Sequence, residues 1–205
     1  MFIMKLIFVE AQKKQPIDIS SVNFSILPAQ VFLAYSVQYK KLAEQIKRKL
    51  GKRVKEFRQV LGCTKLKSKY VILLVGSGKF HALHLALQGN SVYILEENNI
   101  TKLNKEEIDK IKAKRKTAFI KFLAAEKIGI LVSAKPGQEN FKKALKLRKN
   151  LVKNGKEPFV FLADNINIGD LENYSIEGWL NTSCKALTFD SRILNMHELE
   201  EAGYC

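Results

Sequence analysis

Short apolar runs alternate with amphipathic stretches along this chain. Residues 5–9, 30–37, 54–61, 70–75, 91–95, 128–132, 158–163 and 177–181 are rich in Val, Ile, Leu and aromatic side chains and read as strands. Tyr70 to Val75 is continuously apolar, the pattern of a strand covered on both faces. Between these runs the period lengthens to that of a helix. Over 39–50, Leu42, Ala43, Ile46 and Leu50 share one face, and Gly51 ends the helix. A short helix over 80–87 is stopped by Gly89. Asn104, with Glu107 three residues on, reads as a capping box opening a helix to about residue 126. That helix carries Ile108, Ile111, Ala118, Phe119 and Phe122. A basic amphipathic helix over 140–154 points Phe141, Ala144, Leu145 and Leu151 inward, with Gly155 after it, and 170–174 forms a helical turn.

Strand and helix in alternation predict parallel βαβ units. The expected fold class is α/β, with two similar three-layer lobes built on mainly parallel sheets. The lobes are placed at 1–105 and 106–205, and no residue-level repeat joins them.

Composition narrows the class. The 205 residues are 46% hydrophobic, enough for a real core. No apolar run approaches a membrane span. Residues 1–9 lack a basic leader and a small-residue cleavage site, so they read as a first strand, not an export signal. That predicts a reducing, cytoplasmic setting, in which three cysteines do not form a disulfide framework. Lys and Arg outnumber Asp and Glu by 35 to 20, a net charge of +15. The excess favours an acidic partner, but no aromatic-rich RNA-binding signature accompanies it, so nucleic acid is disfavoured.

Candidate chemistry gathers where strands end. Gly76-Ser77-Gly78 follows a strand and enters a helix, where backbone amides suit a carboxylate or phosphate. The same glycines equally serve a tight turn, and the spacing is neither a Walker A loop nor a dinucleotide fingerprint. His81 and His84, three apart, can share a helix face, as structural side chains or as a weak metal pair. Lys135-Pro136-Gly137-Gln138 follows another buried strand. Lys135 and Gln138 there could hold a carboxylate or simply flank a solvent-facing turn. Cys63 and Cys184 each stand just past a strand, as buried small hydrophobes or as ligands. Nothing like a CxxC spacing supports a zinc finger or a ferredoxin site. Cys205 reads as a tail thiol.

Several stretches together resemble the diphthamide synthase family, the 2-(3-amino-3-carboxypropyl)histidine synthases. They are Gln59-Val60-Leu61-Gly62-Cys63, Val75-Gly76-Ser77-Gly78-Lys79-Phe80-His81-Ala82-Leu83, Ile130-Leu131-Val132-Ser133-Ala134-Lys135-Pro136-Gly137-Gln138, Phe161-Leu162-Ala163-Asp164 and Trp179-Leu180-Asn181-Thr182-Ser183-Cys184. The resemblance implies three α/β lobes, each giving one cysteine to a 4Fe–4S cluster that binds S-adenosylmethionine. This chain is similar to the second and third lobes, and the first is expected to be missing. Cys63 and Cys184 are then the two metal ligands, and Gly76, Ser77, Gly78, His81, Lys135 and Gln138 the candidate cofactor contacts. The implied reaction transfers a 3-amino-3-carboxypropyl radical to a histidine of elongation factor 2. The implied assembly is a homo- or heterodimer, with the third thiolate supplied by a first-lobe polypeptide or by Cys205, or absent. A non-catalytic accessory subunit and a basic ribosome- or RNA-binding module are the alternatives. The chain departs from the family where Lys185-Ala186 stands in place of the usual Pro-Arg.

Overall fold

Strand β1 (Val31–Tyr35) has every side chain buried, because it lies inside a sheet with a strand on either side. The computed structural model describes residues 17–135, 140–188 and 193–204. The expected strand over 5–9, the Pro136–Gln138 part of the turn, and Cys205 lie outside the described residues. The chain divides into two compact units, Met1–Asp109 and Lys110–Cys205.

In the first unit β1 is followed by helix α1 (Lys40–Leu50), β2 (Val54–Gln59), β3 (Val71–Val75), helix α2 (Lys79–Leu87), β4 (Val92–Glu96) and β5 (Asn99–Lys102). The sheet order is β2-β1-β3-β4-β5. The first four strands run parallel and β5 returns antiparallel to β4. The pattern had not disclosed β5, whose Asn-Ile-Thr-Lys sequence has little apolar content. The hairpin turn places Glu97 at a φ of 53°, a conformation a side-chain-bearing residue adopts only when neighbouring pairing enforces it. The direction of winding reverses between β1 and β3: one crossover leads out to β2, the other to β4. Right-handed crossovers then set α1 and α2 on opposite faces. Ala43, Ile46 and Leu50 of α1 pack with Val31, Leu33, Leu73 and Val75 in one core. Edge strand β2 exposes Lys55, Glu56 and Arg58, charges that discourage further strand pairing.

Helix α3 (Lys105–Ala124) runs across the boundary between the units. Asn104 accepts from the Glu106 amide at 2.9 Å, while Glu107 pairs with Lys79 at 3.4 Å. The expected reciprocal bond is thus redirected: Glu107 finds a cation on a neighbouring helix.

The second unit continues with β6 (Lys127–Ser133), helix α4 (Phe141–Lys153), β7 (Glu157–Ala163), β8 (Gly178–Asn181), β9 (Leu194–Asn195) and helix α5 (Met196–Glu201). A 3-10 helix over Ile168–Asn173 stands where the helical turn was expected. All four strands are parallel in the order β7-β6-β8-β9. This is the winding of β2-β1-β3-β4, so the two units repeat one topology without a visible sequence repeat.

Ala144, Leu147 and Leu151 of α4 share a core with Ile128, Ile130, Val132, Leu180, Phe122 of α3 and Leu199 of α5. Phe141 and Leu145 do not point inward as expected; they are 47% and 39% exposed. Phe141 opens the first turn, and Leu145 is rotated about 100° from Ala144. No helix among the described residues is long and apolar enough to cross a membrane.

Candidate functional site

Open parallel sheets bind ligands beyond the carboxyl ends of their strands, at the point where winding reverses. In the first unit that point lies between β1 and β3. The Ser36 amide donates to the Val75 carbonyl at 3.2 Å, tying the two strand ends together. Gly76 and Ser77 follow β3 and line a cavity of about 520 Å³ with Tyr39, Glu96, Glu97, Asn99 and Thr101. Gly78 precedes α2 at a φ of 79°, which explains a glycine there. Its amide donates to Glu96 Oε1 at 3.1 Å. The helix start expected to receive a ligand's anion is therefore already engaged by a carboxylate of β4, and a second acidic residue, Glu97, lines the same cavity.

Cys63 stands in a turn after β2. The Val60 amide donates to Tyr35 O at 2.8 Å, extending the β1–β2 pairing by one bond. The Thr64 amide then donates to Leu61 O at 3.0 Å, and the Leu61 amide donates to Thr64 Oγ1 at 2.8 Å. This closed turn carries Gly62 and an exposed, unbridged Cys63. A Cβ on Gly62 would fall inside contact distance of the Phe80 ring, so glycine lets the turn lie against α2. Phe80 also meets His81 edge-on, with ring centroids 5.5 Å apart, and lies roughly parallel to His84 at 6.4 Å. Burial lowers the His81 pKa from its ordinary 6.5. His84 is buried in α2. Both histidines thus pack with an aromatic ring.

In the second unit the reversal lies between β6 and β8, and Cys184 follows β8 directly. The Thr182 amide and hydroxyl both donate to Leu131 O, at 3.0 and 2.8 Å. The Ser133 amide donates to Ser183 Oγ at 2.7 Å, and Asn140 Nδ2 to Thr182 O at 2.8 Å. Asn181, 1% exposed, accepts the Ser183 amide at 2.9 Å and donates to Cys184 O at 3.0 Å. Cys184 itself is exposed and unbridged. Lys135 is exposed just past β6, its amide donating to Ser133 Oγ at 3.2 Å. Gln138 lies outside the described residues. His197, on α5 beyond β9, has its pKa lowered from 6.5 by burial first and the Lys185 charge second, against the opposing pull of Glu198 and Glu201.

The two cysteines come from non-equivalent strands. Cys63 follows the second strand of its unit and Cys184 the third of its own, so the counterpart of Cys184 in the first unit is the Gly76–Gly78 loop. Among the described residues no group of three or more His, Cys, Asp or Glu side chains is placed to hold a metal ion. Sequence reasoning missed Glu96, Asn181, Asn195 and His197. An Asn-x-x-Glu signature at 195–198, and an asparagine ending a buried strand at 181, were the available signals.

The family model for diphthamide synthesis proteins matches residues 3–200. The chain belongs to the diphthamide synthesis protein family. It is 30% identical over 170 residues to the 2-(3-amino-3-carboxypropyl)histidine synthase of Methanocaldococcus jannaschii, covering 80% of this chain and 47% of that protein. It is 29% identical over 135 residues to the enzyme of the same name from Pyrococcus horikoshii, covering 64% of this chain and 40% of that one. The chain thus spans less than half the length of the curated relatives it matches. The crystal structure of Dph2 from Pyrococcus horikoshii superposes with a TM-score of 0.72 at 25% identity, over 85% of this chain and 57% of that one. A second structure of the same protein, with a 4Fe–4S cluster, matches equally. The mixed α/β fold with mainly parallel sheets is therefore the Dph2 fold.

The chemistry of the two thiols fits such a cluster, since iron–sulfur clusters are held by cysteine thiolates. Each thiol is solvent-reachable, free of a disulfide and fixed by backbone bonds at a sheet's carboxyl edge.

Proposed function

We propose that this chain is a subunit of a 2-(3-amino-3-carboxypropyl)histidine synthase, with Cys63 and Cys184 as thiolate ligands of a 4Fe–4S cluster. The observation that carries the reading is the presentation of one exposed, unbridged cysteine at the strand ends of each unit, in a chain whose family model covers residues 3–200. When bound, the cluster would supply the electron that cleaves the Cγ–S bond of S-adenosylmethionine and releases methylthioadenosine; the 3-amino-3-carboxypropyl radical would add to an imidazole carbon of an elongation factor 2 histidine, and the adduct would then lose one proton and return one electron to the oxidised cluster. The third thiolate comes from a partner polypeptide or from Cys205. The protein works as a dimer in the cytoplasm, where its translation-factor substrate is found. Gly76, Ser77 and His81 stand near the strand ends of the first unit and Lys135 at those of the second, each a proposed cofactor contact, with Gly78 donating to Glu96; Gln138 is proposed as a further contact. The first test is anaerobic iron–sulfur reconstitution with iron counting. Cys63→Ala and Cys184→Ala should each lower iron per chain and abolish methylthioadenosine formation by the assembled complex. Equal iron in both variants and the parent chain sinks the proposal.

A second reading, a basic docking module, draws on helix α4. Its outer side carries exposed Phe141, Leu145 and Val152 among exposed Lys142, Lys146, Arg148, Lys149 and Lys153. An apolar stripe between cations suits an acidic protein surface. A cluster that assembles without methylthioadenosine production would favour an accessory, non-catalytic subunit.

A further inference from the structure

We infer that Asn181 is the positioning residue of the Cys184 thiol, and that helix α5 anchors it. The consequence for metal binding rests on the proposed ligand role of Cys184; the clasp itself rests on hydrogen bonds.

Asn181 ends β8 with its side chain fully buried. One short amide group holds Ser183, Cys184 and Asn195 there. Its oxygen accepts the Ser183 amide at 2.9 Å; its nitrogen donates to Cys184 O at 3.0 Å and to Asn195 Oδ1 at 2.8 Å. The bonds to residues 183 and 184 bend the chain over the strand end and fix the peptide that carries the thiol. The bond to Asn195 ties that bend to the next strand and helix.

Asn195, 4% exposed, is also the N-cap of α5. Its side chain accepts the Glu198 amide, and its own amide donates to Glu198 Oε2 at 2.8 Å, a complete capping box. Glu198 in turn pairs with Arg115 of α3. Arg115 Nε lies 2.7 Å from Glu198 Oε1, Nη2 meets Oε2, and Nη1 donates to Ile193 O at 2.7 Å. A connected polar chain therefore runs from Cys184 through Asn181, Asn195 and Glu198 to Arg115. Fully satisfied buried networks of this kind hold one geometry, because any rearrangement leaves a buried donor or acceptor unpaired.

The chemistry at position 181 calls for an acceptor and two donors in one planar group. Serine has a single donor and leucine none. Aspartate has the same shape and keeps the acceptor for Ser183, but donates neither to Cys184 nor to Asn195. It would also set a carboxylate against two carbonyl oxygens. Asn181→Asp thus separates orientation of Cys184 from simple space filling.

The test uses the full chain, with Cys63 as the internal control. Asn181→Asp is compared with the parent for iodoacetamide alkylation of each cysteine, read by mass spectrometry, and for amide exchange in peptides spanning 181–186 and 60–65. Alkylation of Cys184 should change at least threefold and exchange over 181–186 rise about tenfold, with Cys63 and its turn unaffected. Asn195→Ser keeps a helix cap while shortening the reach to Asn181, and should act in the same direction more weakly; it carries the test if the aspartate variant does not fold. Unchanged Cys184 behaviour in a folded variant overturns the inference. So does an equal rise in exchange across both peptides, the mark of lost stability alone. Iron uptake by the parent chain is measured in parallel under reconstitution. If the parent takes up no iron while the local effect on Cys184 persists, the ligand reading fails and the clasp stands.

Discussion

Gly129 offers a direct test of how the second unit is packed. A Cβ built there lies 3.0 Å from Cδ2 of Trp179 and closer still to Cε3 and Cζ3. Ordinary carbon contacts sit near 3.5–4.0 Å, so the indole has to move by about 1 Å or more. Phe161 packs against it with ring centroids 4.9 Å apart, and Tyr174 meets it edge-on at 6.2 Å. Gly129→Ala is therefore an overpacking substitution, expected to cost about 1–3 kcal/mol. For a chain of this length that lowers Tm by about 2–4 °C per kcal/mol. Trp179 is the only tryptophan, so its emission reports this contact without interference. Urea unfolding followed by circular dichroism and by tryptophan emission should show a lower midpoint and an altered native emission. Adding Trp179→Leu removes the obstacle, and in that background Gly129→Ala should be nearly neutral, a coupling of at least about 1 kcal/mol. A Gly129→Ala chain with parental stability and unchanged emission refutes the packing described here.

At the Cys63 turn, Gly62→Ala drives a Cβ against Phe80 Cε1 and to 2.9 Å from its Cζ. The far end of that ring can swing, so about 1 kcal/mol is expected, with altered Cys63 alkylation and recovery on Phe80→Leu. Arg115→Ala leaves Glu198 and Ile193 O without the guanidinium they share and should cost about 1–3 kcal/mol in chemical denaturation. Arg115→Lys should recover little, because one ammonium cannot reproduce the fork. His197 is held neutral by burial and Lys185, with a pKa below 6.5. The unfolded chain therefore takes up a proton near 6.5 that the folded chain refuses, so stability falls as pH drops below that value. His197→Gln should flatten that fall between about pH 7.5 and about pH 5.5 in urea midpoints, part of the slope remaining with His81, which is shifted the same way. A slope unchanged by the substitution would contradict this assignment.

The apolar periodicity alone determined most of the elements. β1, β3, α1, α3 and β6 stand within a few residues of where side-chain spacing put them, because a continuous buried run or a one-sided helix is a local signal. The two cysteines at strand ends and the family motifs around them were also legible in one dimension. What tertiary structure decided is what joins residues far apart. β5 and β9 are too short or too polar to announce themselves and exist through their neighbours' hydrogen bonds. Phe141 and Leu145 have the right spacing but no sheet beneath them. Glu96 occupies the start of α2 because β4 lies beside β3 in the sheet. Asn181 and Asn195 lie fourteen positions apart in the chain, and only the pairing of β8 with β9 brings their side chains within 2.8 Å. Local spacing could say that Cys184 ends a strand; the sheet order decides what fixes it there.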